Sequence, residues 1–278
     1  MTAVVQIEKW SDFRKEIAGT SFAGPVYWRG QSNSNWVLAS SFERLVLSLA
    51  GGSRPGAEMT YPYGGRYTRS GRSIWSQTFL NDFRSRYLMA FRDHCVGLRG
   101  PNPQQLTDDE WWALGRHYGL ITPLLDWTES PYIAAFFAIS GLFESQRNGA
   151  GGSLSFSGAT ASVFRLLHSP ELESIDGFRI LHPRVEELGR MHNQRGCFTC
   201  LNSDMFFELE SFLDHMGKGA FLKKYILSDQ VIPDALKEFW SAGIDSRLIF
   251  PDLHGAALAS NELFDRSLYR ILSSNVSE

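Results

Sequence analysis

With 278 residues, 43% of them hydrophobic and 13% aromatic, the chain can bury a substantial core, and its composition excludes disorder and collagen-like repetition. A formal net charge of −3 leaves it nearly neutral, so attachment to nucleic acid or to an anionic membrane does not follow from the total. No apolar run approaches the roughly 18 residues of a membrane helix, the opening MTAVVQIEKWSDFRKEI lacks the order of a secretory leader, and three cysteines make no disulfide framework; a cytoplasmic protein is expected.

The segment IEKWSDFRKEI predicts a short amphipathic helix capped by Ser11, with Trp10, Phe13 and Ile17 facing inward. PVYWRG predicts a strand ending at Gly30, and VLASSFERLVLSLA a helix stopping at Gly51-Gly52. From about 51 to 72 the chain is rich in Gly, Arg and Tyr, which marks an insertion of loop chemistry. FLNDFRSRYLMAFRDHCVGL returns to helix, with Phe79, Phe83, Tyr87, Ala90 and Phe91 on the apolar face and Arg84, Arg86 and Arg92 elsewhere. TDDE at 107 to 110 forms a capping box for a helix ending near Gly119. LITPLLDW is short and extended, and Ser130-Pro131 supplies cap and first residue for a helix burying Ile133, Phe136, Phe137 and Phe143. ASVFRLL and FLKKYIL predict strands, a helix follows Pro233 and closes at Gly243, IDSRLIF predicts another strand, and a last helix begins near Asp252. This order predicts a mixed sheet with flanking helices, an α/β or α+β fold.

Four constellations carry candidate chemistry. Arg29 ends an apolar strand, where a partly buried guanidinium requires an anionic or carbonyl partner. That partner is either a ligand's phosphate, carboxylate or ribose edge, or an internal ion pair with Asp126. In GRHYGLITPLLDWTESP, His117 and Tyr118 close one helix, while Asp126, Trp127, Thr128 and Ser130 span a strand-to-helix junction that can seat a phosphate or sugar hydroxyl. The competing reading makes Thr128 and Ser130 helix caps and Trp127 core. Cys197 and Cys200 form a CxxC with His192 near it but no second pair, too few ligands for zinc, so the thiols are expected to be small core residues of a strand and no metal is expected. Residues 54 to 99 hold eight arginines interleaved with Tyr61, Tyr63 and Tyr67, which suits either nucleic-acid tracking or a solvated face. Walker, GxSxG, HExxH and dinucleotide fingerprints are absent from the sequence.

Taken together, YWRGQ at 27 to 31, HYGLITPLLDWTESPYIAAFFA at 117 to 138, NQRGCFT at 193 to 199 and GIDSRLIFPDLHG at 243 to 255 resemble the FRG domain family, named for its Phe/Tyr-Arg-Gly motif. The resemblance covers about 22 to 258 of a single domain spanning 1 to 278. The family's second motif commonly reads His-Tyr-Gly-Leu-Pro-Thr-Arg-Leu-Leu-Asp-Trp-Thr; here Ile121 replaces the proline and Pro123 the arginine, which removes a positive charge.

The layout is similar in turn to the ADP-ribosyltransferase fold, α+β with a mixed sheet core. That similarity implies an NAD-dependent ADP-ribosyltransferase or NAD glycohydrolase, a bacterial toxin or anti-phage effector acting on a protein or nucleic acid. Tyr27, Arg29, Gly30, Gln31, His117, Tyr118, Thr128 and Ser130 would then hold NAD as co-substrate, and Arg29, Asp126 and Gln194 would carry the chemistry. The region around Gln194 shows no glutamate, so Asp126 or Asp252 would have to serve as the acid. The alternative is a non-catalytic module that binds a nucleotide, a nucleic acid or a partner segment in the same cleft.

Overall fold

The computed structural model describes residues 1–20, 24–49, 77–148, 156, 158–185, 193–203 and 205–275. The Gly/Arg/Tyr-rich insertion at about 51–72 and His192 lie outside the described residues. Seven strands, β1 (Ala3–Ile7), β2 (Val26–Gln31), β3 (Leu124–Thr128), β4 (Thr160–Leu167), β5 (Phe178–Leu181), β6 (Gly196–Leu201) and β7 (Leu222–Ser228), form one sheet in the order β1-β7-β4-β2-β3-β6-β5. The β1–β7 pair is parallel and the remaining described pairs are antiparallel, so the fold is α+β with a mixed sheet. The α-helices among the described residues are α1 (Trp10–Ala18), α2 (Ser41–Leu49), α3 (Gln77–His94), α4 (Asp108–His117), α5 (Pro131–Asn148), α6 (Pro170–Glu173), α7 (Leu209–His215), α8 (Ile232–Ser241), α9 (Ser246–Ile249) and α10 (Leu253–Asn275).

Period-two alternation along the central strands sends side chains into two cores. Trp28, Val163 and Tyr225 join Trp10 and Phe13 of α1, the apolar side of α5, and Phe239 of α8. Tyr27, Phe164 and Leu166 instead meet Leu125, Trp127 and Cys197 beneath Phe212 and Leu213 of α7. A third cluster sets Trp112, Ala113 and Leu114 of α4 and Leu88 of α3 against Leu124, Phe198 and Cys200. The two CxxC thiols are three residues apart on β6 and therefore point to opposite faces; both are buried, as expected of small core residues. Burial pushes the Cys200 thiol up to about 11 and the Cys197 thiol higher still. Among the described residues no group of His, Cys, Asp and Glu is arranged to hold a metal.

Three expectations from the sequence are corrected. IDSRLIF is not a strand: Asp245 accepts from the backbone N–H groups of Arg247 and Leu248 and nucleates the short α9 after Gly243, whose φ is +68°. Ser11 does not cap α1, which starts at Trp10 with its indole N–H on Glu238 at 2.6 Å; a tertiary bond fixes the entry instead. The buried row of α3 is Leu80, Arg84 and Leu88, with Phe83 and Ala90 exposed. Arg84 takes an inward place because it meets the buried Glu43 carboxylate at 3.2 Å and also donates to Asn202. Glu43 in turn forms a capping box with Ser40 at the head of α2. The box at Thr107 and Glu110 ahead of α4 forms as the sequence predicts.

Candidate functional site

Adjacent residues of the Arg-Gly pair serve opposite faces of β2. At Gly30 a Cβ would lie 1.9 Å from the main-chain oxygen of Ala134, so α5 can approach the strand only because that atom is missing. Alanines 134, 135 and 138 supply the matching smoothness on the helix. Arg29 points the other way, and there the sheet opens.

The opening is visible in the ladders. β2 pairs with β4 over six residues, from Val26↔Leu167 to Gln31↔Ser162, and β3 pairs with β6 over five. Between β2 and β3 the register consists of Trp28↔Thr128 alone. Beyond that pair Arg29, Gly30 and Gln31 part from the facing stretch of β3, and a cavity of about 610 Å³ occupies the gap. It is lined from β2 by Arg29, Gly30 and Gln31, from the following loop by Trp36, from α2 by Arg44, from α4 by Arg116 and His117, from β3 by Asp126 and Thr128, and from beyond by Phe137, Gln194 and Phe250.

Charge inside it is unbalanced. The Arg29 guanidinium, 13% exposed, donates to the Asp126 main-chain oxygen at 2.7 Å and to Oδ2 at 3.4 Å. It thereby satisfies a carbonyl on the side where β2 has moved away. Arg116 grips the same carboxylate with both prongs, Nε to Oδ1 at 3.2 Å and Nη2 to Oδ2 at 2.7 Å. Arg44 donates to the Ala39 carbonyl at 3.2 Å.

Burial pulls Arg29 down to about 10, against the pull of Asp126, and it stays protonated at neutral pH. Asp126 raises Arg116 above its ordinary value. Burial opposes ionisation of Asp126, but Arg116 and then Arg29 outweigh it and hold the carboxyl below the usual range. Arg44 is lowered by burial and by the repulsion of Arg116. Three guanidinium groups thus face one carboxylate, which suits a phosphate-bearing anion.

The structure brings Arg29, Gly30, Gln31, His117, Asp126, Thr128 and Gln194 of the expected set to this cavity. Tyr27, Tyr118 and Ser130 are not among its lining residues. Tyr27 is buried further along β2, where its hydroxyl meets His182 at 3.0 Å, and burial raises that phenol well above its ordinary value. Tyr118 is 69% exposed and sets its ring edge-on to His117. Ser130 Oγ accepts from the Ile133 N–H at 3.3 Å, and Thr128 donates to the Gln194 main-chain oxygen at 2.6 Å while accepting from Ser130 N–H. Both hydroxyls therefore organise the junction, as the capping reading expected. The Arg29–Asp126 ion pair, one of the two readings of Arg29, is also present.

Sequence reasoning missed Arg44, Arg116 and Trp36. Arg116 stands beside His117 and was within reach of the motif, whereas Arg44 sits on α2 with no local signal that it faces β3. Pro123, at the place of the family's usual arginine, lines a separate hollow with Arg84, Arg179 and Cys200.

The FRG domain model matches residues 24–147, from the start of β2 almost to the end of α5, so this segment is similar to the FRG domain. The match includes Arg29, Arg44, Arg116, His117 and Asp126 but not Gln194 or Phe250. Comparison with curated proteins and with solved structures gives no match. No described helix is long and apolar enough to cross a membrane.

Proposed function

We propose that the chain binds an NAD-class dinucleotide in the cleft between β2 and β3, breaks its nicotinamide–ribose bond and passes the ADP-ribose to a protein, a nucleic acid or water. The observation that carries this is the surplus of guanidinium charge from Arg29, Arg44 and Arg116 over the Asp126 carboxylate in a cavity large enough for a nucleotide. The resemblance of the sequence motifs in layout to those of ADP-ribosyltransferases is in keeping with this reading. In the reaction the C–N bond electrons leave with nicotinamide, positive charge develops on the ribose, and an acceptor oxygen attacks that carbon and gives up a proton. Arg29, Arg44 and Arg116 hold the diphosphate. Asp126, kept ionised by its two arginines, supplies negative charge where the ribose becomes cationic. Gln194 lies at the same rim through the bond between its carbonyl and Thr128.

A second reading, a nucleotide-binding module without turnover, has one observation in its favour. Both Asp126 oxygens are already engaged by guanidinium groups, which leaves the carboxylate less able to act on a ribose. Incubating the purified chain with NAD, alone and with cell lysate, separates the two. Nicotinamide release or a labelled macromolecule, lost in Arg29→Ala, is the expected result. Saturable binding of NAD or ADP-ribose with neither product establishes the module, and absence of binding removes both readings.

A further inference from the structure

A second hollow, of about 300 Å³, lies between α5 and α10, and its charge is the reverse of the first. Three carboxylates, Glu144, Glu262 and Asp265, face one guanidinium, Arg147, and one imidazole, His254, whereas the β2–β3 cleft sets three guanidinium groups against one carboxylate. Much of the remaining wall is apolar, with Phe137, Leu236, Phe250 and Leu258. Phe137 and Phe250 line both cavities and meet edge to face, their centroids 6.1 Å apart, so a single aromatic layer is common to the two. Two of the carboxylates are committed within the protein. Asp265, 4% exposed, pairs with Arg147, and Glu262 accepts from the Ser246 N–H at 3.2 Å and from the Ser246 hydroxyl. Glu144 differs: it is exposed, and no other described residue engages it in a hydrogen bond or ion pair. Its carboxylate can therefore meet a ligand directly, while Glu262 and Asp265 act on that ligand through their field.

We infer that this hollow docks one basic side chain, arginine or lysine, of a polypeptide acceptor. The methylene stem lies on the apolar wall of Phe137, Phe250 and Leu258, and the cationic head meets Glu144. The residue that attacks the ribose is then a neighbour of that side chain in the acceptor, presented to the adjoining cleft. The assignment rests on the ADP-ribosyl transfer proposed above, and adds that the acceptor is a protein. Charge complementarity decides between acceptors: a basic segment answers the surplus of carboxylates, whereas the phosphates of a nucleic acid would be repelled by it. Size agrees, because the hollow stands at the small end of the range of ligand sites and suits a side chain better than a second nucleotide.

Capped peptides carrying a central arginine, lysine or glutamine between glycines, titrated into the full chain without NAD and followed by NMR, test this. The arginine and lysine peptides are expected to bind about tenfold more tightly than the glutamine peptide. Glu144→Gln should weaken the two basic peptides about threefold, and the charge reversal Glu144→Lys should weaken them further. Both substitutions stand at an exposed position, so a melting temperature equal to that of the wild type accompanies the expected loss. Equal affinity for all three peptides, or basic peptides indifferent to both variants, overturns the docking site. NAD affinity, measured on the same samples, reports the cleft separately. If the basic peptides bind and NAD does not, the transferase reading falls and takes the acceptor role of the hollow with it. If NAD-dependent label in a lysate goes to nucleic acid and none to protein, the protein acceptor is overturned while transfer itself stands.

Discussion

The two seams of β2 behave differently although they share a backbone. On the β4 side six residue pairs close the ladder, and the side chains there are those of a sealed sheet, with Val163, Phe164 and Leu166 buried. On the β3 side one pair holds, and guanidinium groups replace the ladder: Arg29 reaches across to the main-chain oxygen of Asp126. A sheet can be parted without stranding its carbonyls when a side-chain donor takes over from the backbone donor, and the void that results is wet and charged.

The most severe way to disturb this arrangement is to fill the place that lets α5 lie against β2. Gly30→Ala drives a methyl into the Ala134 carbonyl and is expected to cost about 3 kcal/mol, read from the denaturant midpoint. An unchanged midpoint would show that α5 yields without loss and that the close approach is not needed to hold the open seam.

Removing the counterion comes next. Asp126→Asn leaves Arg29 and Arg116 facing a neutral amide; because the Asp126 side chain is 42% exposed, water screens part of the loss, and about 2 kcal/mol is expected. The pH dependence follows from the depressed carboxyl. Its contribution is complete above the unfolded value of about 4 and disappears as pH falls through the lower folded value, so wild type and variant should converge in strong acid. A constant gap down to the lowest pH at which the protein folds would assign the effect to packing.

Glu210 sharpens the comparison at the loop that overhangs the cleft. Its two oxygens accept from the Leu38 N–H at 3.0 and 2.9 Å, and burial pushes it up to about 7. A folded value above the unfolded one means that the folded chain holds the proton longer. Stability from this group is therefore full below about pH 4 and declines as pH rises through 7. Glu210→Gln should flatten that slope in melts between pH 5 and 8, and a slope unchanged in the variant would point to another titrating group.

The smallest effect belongs to the closed β3–β6 seam. Cys200→Ala removes one buried sulfur at about 1 kcal/mol, and a metal chelator should not move the wild-type melting temperature. A drop with chelator would assign the CxxC pair to a metal after all.

Much of this was legible in local pattern. The runs VYWRG, LLDWT and ASVFRLL announced their strands by apolar, β-branched and aromatic content, and Thr107–Glu110 and Ser130-Pro131 announced the starts of α4 and α5 by capping chemistry. The short β1 and β5 and the seven-residue α7 were not read, because elements that brief depend on their neighbours more than on their own periodicity. IDSRLIF shows the limit from the other side: its apolar residues fit a strand, and a single Asp245 carboxylate satisfying two N–H groups turned it into a helix.

The chain alone determined that Arg29 would be partly buried and would need a partner, since no other outcome follows from a guanidinium at the end of an apolar strand. It also fixed the glycine beside it and the aspartate ahead of Thr128. Only the tertiary structure decided that Arg116 grips that aspartate while Arg44, on a separate helix, lines the same cavity, that the hydroxyls of Thr128 and Ser130 are spent on capping, and that the sheet opens between β2 and β3. The physical reason is range: caps and periodicity act within one or two turns, whereas a cleft is set by how far apart the helices and strands flanking it are held, and that distance is written in the packing of α4, α5 and α2 against the sheet.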